Sequence, residues 1–517
     1  MYNLEFVRTS PTPSSTPSSY DVIVVGAGNA GLCAAIAARE SGATVLVLEK
    51  APRAERGGDT AYTGGLFRFA FRGMEQVRDL VPEYTEAELR DVEVGRYTEQ
   101  DFSNDIDRTS EGLADAALVD ELVRGSFDTM LWLNRRCGVR WMLATGRQAY
   151  RSNGKFRFFG SLIVEAHGGG QGLSDRLFQR AEDMGCEVRY HARAHRLITD
   201  ARGDVRGVEV RSSEGTERIE SNAVVLAAGG FQANTEMRAR YLGSEWDLAK
   251  VRGSRFDTGD AIRMGLDIGA RPYGHWSSCH AVAWDLMAPE TGDLEMGDLY
   301  QKHSYPLGVV VNRDGRRFVD EGADFRNYTY AKYGREILRQ PGRQAFQIFD
   351  KKTIPMLRDE YRAPKVTKAT TQTIEELADA MLIDPATLRK TIDDYNAAVT
   401  EGACDPSVLD GKASRPAGQP PKSNWAQRID EPPFEAYAVT CGITFTFGGL
   451  RIDRKGRVLD GEDRAIPGLF GAGELVGGLF YYNYPGGSGL MAGAVFGRNA
   501  GVSAAAARAG AGATAAR

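Results

Sequence analysis

The sequence lacks three features that would define its class at once: a long uncharged hydrophobic run, a block of basic residues and a cluster of cysteines. Without about 20 consecutive apolar residues no segment can form a transmembrane helix. The first residues also have neither the basic start nor the apolar stretch of a signal peptide. A net charge of −5 without a basic patch excludes nucleic acid as an expected partner. We therefore expect a cytoplasmic protein that binds small molecules.

The six cysteines are scattered along the chain, without a C-x-x-C pair or the spacing of a zinc or iron–sulfur site. We expect reduced thiols and no metal bound by the protein itself. Low-complexity segments border the chain, so residues 1–19 are predicted to be a disordered leader and residues 505–517 a flexible Ala/Gly tail. The length between them suffices for a large α/β enzyme of two intertwined units.

The stretch DVIVVGAGNAGLCAAIAARESGATVLVLEK, residues 21–50, changes abruptly from valine-rich to glycine-rich to alanine-rich composition. This order predicts a β-α-β unit with a dinucleotide-binding turn. Gly26 permits the tight turn, Gly28 lets the backbone approach a pyrophosphate, and Gly31 lets the helix pack on the strand. Glu49 ends the second strand and is expected to accept hydrogen bonds from ribose hydroxyls, which disfavours NADP.

Glycine-rich turns recur in three further regions, which we identify by their sequences. They are ERGGDTAYTGG (55–65), VVLAAGGF (224–231), and the pair GLFGAGELVGG (468–478) and YPGGSGLMAGAVFGRNAG (484–501). Turns in several separated places indicate one long cofactor that is contacted from several directions, which favours FAD over NAD. The last segment also reads as a glycine turn that opens a helix, whose positive end would stabilise an anionic reduced flavin.

These segments, with KVRGSRFDTGDA, QKHSYP, VDEGADFRNYTYAKYG, AVTCGITFTFGG and GGLFYYNYPGGSGL, resemble the fumarate reductase/succinate dehydrogenase flavoproteins, and among them the soluble tricarballylate dehydrogenase branch. The resemblance runs from about residue 21 to residue 501. It implies an α/β fold in which a Rossmann-like, doubly wound FAD-binding domain (20–233 and 431–504) carries an inserted α+β capping domain (234–430). The AVTCG strand is expected to mark the return to the FAD-binding domain.

The resemblance and the glycine pattern together give a set of expected FAD contacts. No histidine lies in GGDTAYTGG, where membrane-bound relatives attach flavin covalently, so non-covalent FAD is expected. The expected cofactor-binding residues are Gly26, Gly28, Asn29, Ala30, Gly31, Glu49, Lys50, Gly57, Gly58, Asp59, Thr60, Thr63, Gly64, Gly65, Ala194, Ala228, Gly229, Gly230, Thr258, Gly259, Asp260, Gly473, Glu474, Gly487, Ser488, Gly489 and Leu490.

Arg326 lies among carboxylates and tyrosines in RRFVDEGADFR, where the resemblance implies the arginine that transfers the substrate proton, with one extra residue in the spacing. Desaturation beside a carboxylate requires hydride loss to the flavin and proton loss from the neighbouring carbon. A guanidinium is a reluctant base, so Asp324 or Glu321 is expected to relay the proton.

Three of the six histidines and several cations fall within one short span, which indicates a carboxylate pocket. The resemblance implies substrate contacts for His280, and we add His303 and Arg255. Lys250 and Lys302 are expected to be solvated.

Two departures from the fumarate reductase pattern bear on the substrate. Phe445 stands where those enzymes have a histidine, and Tyr484 stands where they have an arginine. This disfavours fumarate and succinate, and the resemblance implies oxidation of tricarballylate to cis-aconitate. One alternative is a ketone desaturase in which Tyr484 polarises the ketone, as in 3-ketosteroid Δ1-dehydrogenases. Another is a flavoprotein electron-transfer subunit or redox sensor. The family pattern implies an external electron acceptor, such as a membrane-associated iron–sulfur and haem protein.

Overall fold

A computed structural model describes residues 19–213 and 215–514, with the backbone alone for 508–514. Its strands, β1 to β20, are Ser19–Val25, Val45–Leu48, Leu66–Phe67, Val92–Glu93, Trp141–Leu143, Ala149–Ser152, Lys155–Phe158, Val164–Ala166, Glu187–Arg189, Arg193–Thr199, Val205–Ser212, Gly215–Leu226, Lys250–Val251, Pro272–Asp285, Val309–Asn312, Ala345–Phe349, Lys368–Thr371, Phe434–Leu450, Arg457–Leu459 and Ala465–Gly471. Its helices, α1 to α13, are Asn29–Glu40, Met74–Leu80, Glu86–Leu89, Glu99–Thr109, Ala116–Arg135, Thr145–Gln148, Gly169–Asp183, Thr235–Met237, Asp260–Asp267, Tyr330–Leu338, Ile374–Met381, Pro385–Ala397 and Ser488–Thr514.

The larger sheet has eight strands in the order β10-β11-β12-β1-β2-β9, with β20 joined to β12 and β19 to β20. Strands β12, β1, β2 and β9 are parallel, and β20 is parallel to β12. The valine and isoleucine run of β1 lies at its centre and is buried, as expected for a strand covered on both faces. The carboxyl ends of these parallel strands meet at one edge, where open α/β sheets bind their ligands.

Helices α1 and α13 pack against each other at unusually short distance. A Cβ atom at Gly497 would lie 2.4 Å from the carbonyl oxygen of Ala30, and one at Gly501 would lie 2.2 Å from that of Ala34. Glycines four residues apart therefore present one side chain-free stripe of α13 to the alanine-rich helix α1. This contact fixes the start of both helices beside the cofactor region.

The second sheet has six strands, with β18 at its centre, hydrogen-bonded to β13, β14, β16 and β17. Because the AVTCG segment lies inside β18, the chain has not returned to the larger sheet at residue 431. It rejoins that sheet at β19 and β20, so the expectation that AVTCG marks the return is corrected. Seventeen residues of β18 extend the cap sheet toward the cofactor region.

The chain ends differ from the expectation where the structure describes them. Helix α13 continues to Thr514, so the segment 505–514 is helical. Ser19 belongs to β1, and residues 1–18 and 515–517 of the predicted leader and tail lie outside the described residues. Among the described residues, no helix is both long and apolar enough to cross a membrane.

Candidate active site

The first glycine turn has the geometry that the sequence requires. Gly26 adopts φ +99°, a left-handed conformation, and a Cβ at Gly31 would lie 2.0 Å from the Gly26 carbonyl oxygen. Helix α1 begins at Asn29, and its N-cap residue Gly28 has no side chain to cover the first N–H groups. Glu49 follows β2 and accepts hydrogen bonds from the N–H groups of Ala27 (3.0 Å) and Ala51 (2.8 Å). The turn, the open helix end and the buried acid therefore meet at one edge of the sheet.

One open cavity runs from this edge to the cap sheet. Its lining includes both the Gly26 turn and Arg326, so it spans the expected positions of the cofactor and of the substrate. The expected cofactor-binding residues that line it are Gly26, Gly28, Asn29, Ala30, Glu49, Lys50, Gly58, Asp59, Thr60, Thr63, Gly64, Ala194, Ala228, Gly229, Asp260, Gly473, Glu474, Gly487, Gly489 and Leu490.

Seven expected cofactor contacts do not line the cavity; they are Gly31, Gly57, Gly65, Gly230, Thr258, Gly259 and Ser488. The glycines among them support the walls, since a Cβ at any of them would collide with a neighbour. A Cβ at Gly230, for example, would lie 2.1 Å from the Glu474 carboxylate. Thr258 instead accepts a hydrogen bond from the Lys50 ammonium at 2.5 Å.

A cluster of three carboxylates borders the cofactor part of the cavity. The Gln232 amide donates to Asp59 (2.9 Å), Asp257 (3.0 Å) and Glu474 (3.2 Å). Their oxygens lie within 4.8 Å of one another, close enough to hold a cation. Burial first, and then the charge of Asp59, raises the pKa of Asp257 and of Glu474 well above the ordinary value. The cluster therefore retains protons and can both donate to and accept from hydroxyl groups of a ligand.

Arg326 begins a short 3-10 helix, Arg326–Tyr328, at the cap end of the cavity. Its side chain is buried, Nη2 donates to the Arg147 carbonyl oxygen at 2.9 Å, and Nε has no hydrogen-bond partner within the described residues. No carboxylate of the described chain forms an ion pair with it. Burial, followed by the nearby charge of Arg358, lowers the pKa of Arg326 to about 9.

Two buried histidines face the same space. Both ring nitrogens of His280 and Nε2 of His303 have no hydrogen-bond partner among the described residues. Burial, with a smaller effect of Arg252 on His280 and of Arg326 on His303, lowers the pKa of each imidazole well below its usual range, so both are neutral at pH 7. Unsatisfied polar atoms at a cavity wall are available to a ligand.

Aromatic rings close the remaining wall. The Tyr330 ring lies 5.0 Å from His280 and 4.9 Å from His303 between ring centroids. The Tyr330 and Tyr484 hydroxyls are hydrogen-bonded at 2.9 Å, and Phe445 stacks on Tyr484 with an interplanar angle of 11°. This end of the cavity thus combines cations, neutral imidazoles and an uncharged aromatic face.

The loop that carries Arg326 is tied to the glycine turn before α13. The Gly486 N–H donates to the Asn327 carbonyl oxygen at 2.9 Å, and the Arg68 Nε donates to the Gly486 carbonyl oxygen at 2.8 Å. Tyr328 donates to Asp105 at 2.7 Å. Arg326 is therefore held in a fixed position relative to the loop that is expected to contact flavin.

Comparisons with known proteins agree with this geometry. A model of the family described as "FAD binding domain" matches residues 21–490. The chain belongs to this family. "Probable fumarate reductase Ifc3" of Shewanella frigidimarina (strain NCIMB 400) is 30% identical over 502 residues, which cover 95% of this chain and 75% of that protein. "Urocanate reductase" of Eggerthella lenta is 30% identical over 512 residues, 96% of this chain and 76% of that protein.

A solved structure described as the open conformation of a flavocytochrome c3 fumarate reductase superposes with a TM-score of 0.71 at 28% identity, and covers 96% of this chain and 79% of that one. The protein is an FAD-dependent oxidoreductase of the fumarate reductase/succinate dehydrogenase flavoprotein superfamily, acting on C=C or CH–CH bonds. The predictions of an α/β FAD-binding fold and of this enzyme class are confirmed.

The residues of this flavoprotein fit FAD. Gly28 at the N-cap of α1 and Gly58 both line the cavity without a side chain, so backbone can approach a phosphate there. The Asn29 N–H of α1 donates to Thr60 Oγ1 at 3.0 Å, and the positive end of this helix can hold the pyrophosphate. Glu49 and the protonated carboxylate cluster can bind the hydroxyl groups.

Several expectations about this flavoprotein's charged residues are wrong. Arg255 is 55% exposed, does not line the cavity, and forms an ion pair with Glu55 at 2.7 Å. Its charge is thus already satisfied at the surface. Glu321 is fully buried in an ion pair with Arg317, and Asp324 pairs with Arg108, so neither carboxylate contacts Arg326.

Lysine placement also differs from the expectation. The side chain of Lys302 is fully buried, 3.7 Å from Asp285, and it donates to three backbone carbonyls. Lys250 is largely buried, and it donates to the Ala288 carbonyl oxygen. Both lysines stabilise the cap; neither lines the cavity.

The sequence did not predict a role for several polar residues at the cap end of the cavity. Arg147, Arg358, Asp298 and Gln301 line this end, and Arg252 of the KVRGSRFDTGDA segment joins them. Arg147 pairs with Asp298, and Arg358 pairs with Glu360 at 2.8 Å. Arg358 and Glu360 lie two positions apart in the sequence, and this spacing could have indicated that they form an ion pair.

Proposed function

We propose that the protein desaturates a CH–CH bond next to a carboxylate, with tricarballylate as substrate and cis-aconitate as product. The observation that carries this proposal is a buried arginine, Arg326, that lines the cavity without a carboxylate partner beside two neutral histidines with unfilled nitrogens. A buried cation without a counter-charge is costly. An anionic substrate supplies the missing charge, and the histidines bind its oxygen atoms.

Arg326 acts as the proton acceptor in this reaction. FAD supplies the hydride acceptor when bound. The carbon that loses hydride and its neighbour, which loses H⁺ to the Arg326 guanidine, become the two ends of the new double bond. The lowered pKa of Arg326 gives it a neutral fraction that can take this proton.

The network beyond Arg326 fixes its position and does not carry its proton. Arg326 and Arg358 both donate to the Arg147 carbonyl oxygen, and Arg358 binds the buried Glu360 carboxylate. In our proposal Arg326 gives the proton to water that enters the open cavity when the product leaves, so neither Asp324 nor Glu321 is needed as a relay. The reduced cofactor then passes its electrons to an external acceptor, for which a membrane-associated iron–sulfur and haem protein is our candidate.

A ketone desaturase is the second candidate, because of the Tyr330–Tyr484 hydroxyl pair. Burial raises the pKa of both phenols, so each keeps its proton at neutral pH and one can donate to a carbonyl oxygen. A protein that only carries electrons would need neither this pair nor the unpartnered nitrogens of the histidines.

The test is an anaerobic titration of the holoenzyme with tricarballylate, succinate and 4-oxocyclohexanecarboxylate, read as bleaching of the oxidised flavin band. Bleaching by tricarballylate alone supports the proposal, and bleaching by the ketone alone assigns the site to Tyr484. Denaturing the holoenzyme in acid should release all flavin into the supernatant, because we propose that FAD is bound non-covalently.

A further inference from the structure

Arg252 occupies a distinctive place at the cap end of the cavity. It follows β13, and its backbone N–H donates to the Ile443 carbonyl oxygen at 2.8 Å, which sets it beside Thr444 of β18. The side chain is 7% exposed and lines the cavity. It is thus held by the cap sheet, whereas Arg326 belongs to the loop before α10.

The hydrogen bonds of Arg252 include none to a carboxylate, although its charge acts on the nearby Asp298 and lowers the pKa of that carboxyl. Nη1 donates to Thr444 Oγ1 at 3.2 Å, Nη2 reaches Gln301 Oε1 at 3.5 Å, and Nε has no partner in the described chain. Both acceptors are neutral, and the described residues include no carboxylate in an ion pair with Arg252. A ligand carboxylate would supply the missing charge and could accept from the unfilled Nε–H.

The four arginines at this end fall into two classes. Arg147 and Arg358 are each neutralised by a carboxylate, Asp298 and Glu360. Arg252 and Arg326 form no contact ion pair with a described carboxylate; they belong to different elements, line the same cavity, and both lower the pKa of His303 after burial does. The cavity therefore presents two cations without a contact ion pair near one histidine.

We propose that Arg252 is a second carboxylate anchor, which makes the site selective for substrates with at least two carboxylates, one at Arg326 and one at Arg252. This inference rests on the proposed function, because it assigns the ends of the same substrate. The aromatic face of Phe445 and Tyr484 has no charge to take over this role. A purely structural Arg252, held by Thr444 and Gln301 with its guanidinium 5.9 Å from the Trp284 ring centre, is the competing explanation.

Binding rather than turnover provides the test, so that it is independent of the proposed oxidation. The holoenzyme is first reduced with dithionite, so that it cannot oxidise a ligand, and is then titrated anaerobically with tricarballylate, glutarate and butyrate; calorimetry gives each dissociation constant. We expect the di- and tricarboxylates to bind at least ~10-fold more tightly than butyrate. Equal binding of all three, or no binding of either polycarboxylate, overturns the inference.

Variants then locate the second anchor. Arg252→Gln should weaken tricarballylate at least ~30-fold, as expected for loss of one partner of a buried charge pair, and change butyrate less than ~3-fold. Arg252→Lys keeps the charge and should recover part of the affinity. Arg255→Gln, three positions along and exposed, is the matched control with unchanged affinity.

The outcomes separate the two proposals. Selective loss of polycarboxylate affinity in Arg252→Gln without flavin bleaching in the native protein would keep the anchor and reject the oxidation. Equal loss for all three ligands, or loss of FAD in both the Gln and Lys variants, would assign Arg252 a structural role and overturn the inference.

Discussion

The proton acceptor role of Arg326 predicts a specific pH dependence. With a pKa lowered to about 9, first by burial and then by Arg358, the guanidine is neutral in about 1% of molecules at pH 7 and about 10% at pH 8. The pH dependence of kcat/KM reports the pKa values of groups in the free enzyme. The kcat/KM for desaturation should therefore rise about tenfold between pH 7 and pH 8. It should level off above pH 9.

The substitution Arg358→Gln tests why the pKa of Arg326 is lowered. Removing this nearby positive charge should raise the pKa of Arg326, because Arg358 lowers it and Glu360 raises it. Each unit of increase lowers the neutral fraction at pH 7, and with it kcat/KM, about tenfold. The double variant Arg358→Gln/Glu360→Gln removes both charges and should recover part of the loss.

The assay is anaerobic stopped-flow reduction of the flavin by tricarballylate at constant ionic strength between pH 6.5 and 9.5. The histidines and tyrosines beside Arg326 do not titrate in this range, since burial lowers the pKa values of His280 and His303 and raises those of Tyr330 and Tyr484. The pKa values of Asp257 and Glu474 are raised as well, so only an inflection that moves in Arg358→Gln is assigned to Arg326. A profile that is flat from pH 6.5 to 8.5, or an inflection that stays in place in Arg358→Gln, would refute the reasoning.

Three further predictions address the other walls of the site. Tyr484→Phe should change tricarballylate turnover less than ~3-fold but abolish any flavin bleaching by the ketone. Equal loss of activity with both substrates would contradict separate roles for Arg326 in acid oxidation and Tyr484 in ketone desaturation. Tyr328→Phe removes the hydroxyl that donates to Asp105, so the free energy of unfolding should fall by about 1 kcal/mol, which calorimetry measures. The variant should keep its full FAD content, which flavin absorbance measures, and should have a lower kcat. Gly497→Val places a Cβ 2.4 Å from a carbonyl oxygen of α1 and should lower Tm by several degrees, whereas Gly461→Val, with open space around it, should not.

The cofactor half of the molecule was predictable because its signals are local. The turn at Gly26, the helix after it and the acid at Glu49 follow one another within one β-α-β unit, and backbone geometry alone dictates where glycine must stand. The glycine turn that opens α13 was predicted in the same way. The packing of Gly497 and Gly501 against α1 was not predicted, because this contact joins residues far apart in the sequence.

The cap half was less predictable because its chemistry depends on pairing across the fold. Arg252, Arg255 and Arg326 are alike in sequence, and only the tertiary structure shows that Arg255 meets Glu55 while the other two meet no carboxylate. The neighbours Glu321 and Asp324 are close to Arg326 in sequence, yet their partners lie in other directions. Strand β18 was assigned to the FAD-binding domain instead of the cap sheet, because a buried strand has the same hydrophobic pattern in either sheet.

The polar groups differ along the cavity, and this difference bears on how a substrate is oriented. The proton-retaining cluster of Asp59, Asp257 and Glu474 borders one part, and Arg252 and Arg326, which form no contact ion pair with a described carboxylate, border the other. We expect an anionic substrate to be attracted to the arginines. In our proposal its carboxylates bind at the cap, which leaves the CH–CH bond between them to face the cofactor, as desaturation by hydride and proton loss requires.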